Sequence, residues 1–137
     1  MISAAVGILA DASGRVLVAK RPPGKVCSGK WEFPGGKIED GETSLTALTR
    51  EMKEELDVEI AGARYLVEHV NDFPDRRVRL DVWLVREWRG FARGVENQAI
   101  RWLEPERIRE LDFLPGIEAI LPLLVEALVD DDAKRRS

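Results

Sequence analysis

Two periods of apolar residues run along this chain, and each marks a different kind of element. Val78, Leu80, Val82 and Leu84 alternate with other residues, which predicts a long strand over 77–88 with one buried face. The run Ile2–Ala10 is apolar, reads as a buried strand, and is followed by an Asp11-Ala12-Ser13-Gly14 turn. Val16–Lys20 then resumes as a strand, and the two are expected to form a hairpin. A helical period takes over at Leu45, Leu48, Met52 and Leu56, with Thr43 placed as its N-cap. One or two strands follow over 58–70 with a break at Gly62, then a turn over 71–75. A short strand is expected at 99–103 and a short helix at 105–111. The last element is an amphipathic helix over 115–129, striped by Ile117, Ile120, Leu121, Leu124 and Leu128. Strands mixed with helices predict a single α/β layered domain over 1–129, with 130–137 as a charged, frayed tail.

The polar side of the first helix carries the chemistry. Glu51, Glu54 and Glu55 stand at i, i+3 and i+4, close enough to converge on one point. Like charges so placed disfavour a helix by about 0.2–0.5 kcal/mol per pair. A solvated acidic face is the ordinary reading of such a cluster. A hard divalent cation shared with substrate phosphates is the alternative that would offset the repulsion.

The whole chain narrows the field. Its 137 residues, 45% hydrophobic and 34% charged, describe one soluble globular domain. A net charge of -4 argues against a nucleic-acid polymer or an anionic membrane as partner, though not against a phosphate substrate. The lone Cys27 fits a reducing compartment. Ile2–Ala10 has no basic flank of a signal peptide and no stretch is long enough to span a membrane, so the expected location is the cytoplasm.

From Gly36 to Val58 the chain resembles the Nudix box, with Gly36, Glu42, Arg50, Glu51, Met52, Glu54, Glu55 and Val58 in register. Asp57 stands where that family has glycine, at a position after the helix that often needs a positive φ. Asp57 is therefore expected to affect stability and not chemistry. Ala5-Val6-Gly7-Ile8, Lys20-Arg21, Glu32–Glu39, Phe73-Pro74-Asp75-Arg76, Val82–Trp88 and Glu96-x-Gln98 extend the likeness to the MutT branch of Nudix hydrolases.

That resemblance implies a Nudix fold, a mixed β-sheet sandwiched between α-helices. It implies hydrolysis of a nucleoside triphosphate to the monophosphate and pyrophosphate, with Mg²⁺, or Mn²⁺ in its place, as cofactor. Oxidised guanine nucleotides such as 8-oxo-dGTP are the typical substrate, a role in sanitising the nucleotide pool. The implied metal ligands are the Gly35 carbonyl, Glu51, Glu54, Glu55 and Glu96, with Glu51 first and Glu96 second as general base. Arg50 would orient a ligand, Arg21 would reach the phosphates, and Phe33 and Arg76 would lie near the base. Ile117 falls where MutT enzymes use an asparagine to read oxidised guanine, and isoleucine offers no hydrogen bond. This leaves the base open. Glu96–Trp102 is also similar to a branch that cleaves CTP and 5-methyl-dCTP, the alternative substrate class. A non-catalytic nucleotide-binding module is a third reading, disfavoured because the box carboxylates are all present. A monomer or a homodimer is expected.

Overall fold

The computed structural model describes residues 1–136. Seven strands form two sheets: β1 (Ile2–Leu9), β2 (Val16–Lys20), β3 (Trp31–Glu32), β4 (Gly35–Lys37), β5 (Glu59–Phe73), β6 (Arg76–Arg89) and β7 (Ile100–Leu103). The helices are α1 (Ser44–Leu56) and α2 (Ile117–Arg136), with a 3-10 turn at Pro105–Glu110. One sheet runs β4-β1-β6-β5 and the other β3-β2-β7. β1 lies parallel to β6, with Ile2 opposite Val78 and Leu9 opposite Val85, while β4 pairs antiparallel with β1 and β5 antiparallel with β6.

The larger sheet is covered on both faces. Ala5 and Leu9 of β1 and Val85 of β6 pack with Leu48, Met52 and Leu56 of α1. Ile8, Val82 and Leu84 point the other way and pack with Leu121, Leu124 and Leu128 of α2. This double burial is why β1 reads as a continuous apolar run. Gly7 lets α1 come close, since a side chain there would press on Leu48 and Met52.

Several expectations need correction. β1 and β2 do not form a hairpin, and only an Ala10–Val16 bridge joins them. Both edges of β1 are already taken, by β4 and β6, so β2 joins β3 and β7 instead. Gly62 does not break β5; the strand continues through register shifts at Ile60/Gly62, Gly62/Ala63 and Tyr65/Val67. The turn expected over 71–75 shrinks to Pro74-Asp75, because Asn71, Asp72 and Phe73 still pair with β6. Leu45, placed in the apolar stripe of α1, is 43% exposed, and Ala47 is buried in that stripe. The segment expected as a frayed tail continues α2 to Arg136, held by Asp131, which pairs with Arg64 and Arg86 at 3.1 Å each. Ser137 lies outside the described residues. Among the described residues no helix is long and apolar enough to cross a membrane.

Candidate active site

The ends of α1 are set by local chemistry. The Thr43 side chain accepts the Thr46 N–H at 3.1 Å and opens the helix. Asp57 closes it in the left-handed conformation at φ 59° and ψ 38°, its own N–H donating to the Lys53 carbonyl. The family glycine is thus replaced by a residue that adopts the conformation glycine would supply.

Arg50 organises the acids. Its Nε and Nη2 grip both oxygens of Glu42 at 2.8 Å, and Nη1 donates to Glu51 Oε1 at 2.8 Å and to Glu54 Oε2 at 3.4 Å. Nη2 also donates to the Lys37 carbonyl at 3.0 Å, tying α1 to β4. This fork, followed by the Glu39 N–H, pulls the Glu42 carboxyl down to about 2. Gly36 of β4 lies so close to the Glu51 carboxylate that a Cβ there would overlap it.

Glu55 occupies the opposite environment. Burial, then the negative charge of Glu51 and Glu32, pushes its carboxyl up to about 8, against a hydrogen bond from the Gly35 N–H at 3.3 Å; Glu96 adds to the rise. The Glu32 carboxyl is itself raised by burial, opposed by Arg21, whose Nη1 donates to it at 2.8 Å.

The loop before β7 brings Glu96 to this end of α1. The Val95 N–H and the Gln98 side chain both donate to the Glu55 carbonyl, at 3.1 and 3.0 Å, and Gln98 Oε1 accepts the Glu96 N–H at 2.9 Å. Glu96 borders an open groove together with Arg21. On its other side Arg21 lines a second cleft of about 260 Å³, with Lys37, Asn71, Phe73, Arg76 and Leu114 among its walls.

A sequence model of the NUDIX domain matches residues 5–123 of this arrangement. The chain belongs to the Nudix family. As a Nudix hydrolase it acts on phosphoric anhydride bonds, and its likeness is to the MutT branch. The CTP pyrophosphohydrolase of Escherichia coli K12 is 34% identical over 119 residues, spanning 87% of this chain and 86% of that one. The 8-oxo-dGTP diphosphatase of the same organism is 34% identical over 120 residues, spanning 88% and 93%. A solved structure from work on MutT of Aliivibrio salmonicida and Vibrio cholerae superposes with a TM-score of 0.79 at 27% identity, covering 92% of this chain and 98% of that one.

Within this Nudix hydrolase the expected site residues separate into two groups. Gly35, Arg50, Glu51, Glu54, Glu55 and Glu96 gather around the C-terminal half of α1, and Arg21 and Arg76 line the cleft. Phe33, expected near the base, is instead core: it is 5% exposed and packs edge-on against Phe113 at 5.2 Å. Ile117 is not in the cleft wall but packs on the α2 core, and Leu114 takes the wall position. Glu51, Glu54 and Glu55 do not converge on one point, and among the described residues no three acids do. Arg50 draws Glu51 and Glu54 to itself, and the Gly35 N–H draws Glu55. Family membership implies a divalent ion, and the donor chemistry fits one, with the carboxylates held apart here by Arg50 and the Gly35 N–H. Hard oxygen donors crowd a partly buried space where Glu55 resists ionising, and Gly36 leaves room for the Glu51 carboxylate.

Two contributors escaped the sequence. Glu32 faces Glu55, and the signal was a lone acid between Trp31 and Phe33 in an extended segment, hence on the opposite face. Gln98 fixes the loop that carries Glu96, and nothing in its local pattern announces that.

Proposed function

We propose that this Nudix hydrolase cleaves a nucleoside triphosphate to the monophosphate and pyrophosphate with Mg²⁺. The observation that carries the reading is the position of Arg21, which lines both the largely apolar cleft and the groove bearing Glu96. A base resting in the cleft would send its phosphates past Arg21 and Lys37 toward the acids of α1. The planar Arg21 fork, braced by Glu32 and by the Val26 carbonyl at 2.7 Å, suits phosphate oxygens. Glu51, Glu54, Glu55, Glu96 and the Gly35 carbonyl would hold the ion. When bound, Mg²⁺ neutralises the phosphates and makes a water more acidic. Arg50 keeps Glu51 oriented, a supporting role from outside the ligand set. Glu96 is the better placed proton acceptor: it is exposed, and its carboxylate hydrogen-bonds to no protein group among the described residues. Glu51 is committed to Arg50, which reverses the order expected from sequence.

The substrate base has two supported readings. The Escherichia coli relatives named for 8-oxo-dGTP and for CTP are each 34% identical, so a pool-sanitising purine reading stands beside a pyrimidine one. Product analysis tests the reaction itself. Pyrophosphate and monophosphate in equal amounts are expected, and release of single orthophosphate would contradict the proposal. Glu96→Gln is expected to lower kcat by about 10²–10⁴-fold. A rate within about threefold of wild type would return the proton-accepting role to Glu51.

A further inference from the structure

One polar side chain of an otherwise enclosed residue opens onto the cleft without a protein partner. Asn71 of β5 is 5% exposed, and its side-chain amide hydrogen-bonds to no protein group among the described residues. An amide on a cavity wall that the protein itself does not use is free to bond whatever fills the cavity.

Its surroundings define that ligand. The sheet register sets Asn71 beside Val78 of β6, and Val78 beside Ile2 of β1, in one row across the cleft floor. Leu80 and Ala4 form an adjacent row. Among the lining residues Asn71 is the only neutral hydrogen-bonding side chain; the other polar ones are the cations Arg21, Lys37 and Arg76. The backbone at Gly116, with φ 100°, closes against the amide, since a Cβ there would fall on Asn71 Oδ1 and on His69 Nε2. Gly116 therefore leaves the room that the amide fills, and Ile2, Val78 and Leu80 give the cleft an apolar floor. Ile117, packed into the core, takes no part.

We propose that Asn71 is the base-reading residue of this chain. Its Nδ2 donates and its Oδ1 accepts across the edge of a nucleobase that offers an acceptor and a donor side by side. The base lies on the floor formed by Ile2, Val78 and Leu80, with its triphosphate directed past Arg21. The assignment rests on the proposed pyrophosphohydrolase activity.

The test compares kcat/KM for 8-oxo-dGTP, dGTP, CTP and 5-methyl-dCTP in the wild type, Asn71→Leu and Asn71→Asp. Asn71→Leu removes both hydrogen bonds and is expected to shrink the best-to-worst ratio at least about tenfold, since hydrogen-bond reading is what discriminates strongly. Asn71→Asp keeps the shape but trades a donor for an acceptor, so the ranking is expected to change order. If Asn71→Leu fails to fold, the near-isosteric Asp variant decides alone. Variants that melt like the wild type and keep both ranking and ratio within about threefold overturn the assignment only. So does a wild type that does not discriminate among the four. A wild type that releases no pyrophosphate from any of them overturns the pyrophosphohydrolase reading, and this assignment with it.

Discussion

Gly36→Ala isolates the geometry of Glu51 without touching an acid. A Cβ on Gly36 would lie 2.7 Å from Glu51 Oε2 and nearer still to the other carboxylate atoms, against the 3.4 Å at which ordinary contact begins. The carboxylate must therefore retreat by about 0.7 Å or more, on the scale at which misplacing a reacting group costs about 10²-fold in rate. The retreat also strains the 2.8 Å hydrogen bond from Arg50. Gly36 does not have a positive φ, so alanine meets no backbone penalty, and the unfolded chain loses some freedom in its favour. Pyrophosphate release is expected to fall about 10²-fold while the melting temperature stays close to wild type. Gly62→Ala serves as the control, because its Cβ would sit 3.8 Å from Glu87 and far from the acids. A Gly36→Ala enzyme within about threefold of wild type, at unchanged stability, refutes the claim that Glu51 must stand where it does.

Stability against pH reports the crowded acids. Glu55 has its folded pKa raised to about 8, so its contribution is fully present below the ordinary 4.5 and is lost as pH rises toward 8. That loss is of order 4 kcal/mol for metal-free protein. Melting temperature without metal is expected to drop over this window, and Mg²⁺ is expected to raise it more at pH 8 than at pH 5. Equal effects of Mg²⁺ at both pH values would detach Glu55 from the ion site. Asp131→Ala strands Arg86, which is 13% exposed and whose Nε has no partner already, so unfolding is expected to cost about 1–3 kcal/mol less. Thermal melting checks the loss, and hydrolysis is expected to remain, since Asp131 lies at the far end of α2.

The site was more legible than its surroundings. The carboxylates of α1 and the Arg50 beside them are spaced by the helix itself, so sequence places them directly. Their partners were not visible, because Arg50 gathers Glu42, Glu51 and Glu54 through rotamers that no spacing specifies. Phe33 was misplaced because an aromatic beside a glycine loop looks the same whether it faces a ligand or Phe113. Asn71 was hidden inside what read as a turn. It is a strand residue because it pairs with Val78 across the tight β5–β6 hairpin, and the Asn-Asp-Phe-Pro-Asp composition masks how far that pairing runs. The β1–β2 hairpin failed for a long-range reason, since β4 and β6 claim the edges of β1 first.

The most direct measurement is Mg²⁺-dependent pyrophosphate release by Glu51→Gln, which keeps the size of the side chain and an oxygen for Arg50 but removes the charge. A fall of at least about 10²-fold at saturating Mg²⁺, in a protein that melts like the wild type, is the expected result. A rate within about threefold of wild type would show that the chemistry is carried elsewhere.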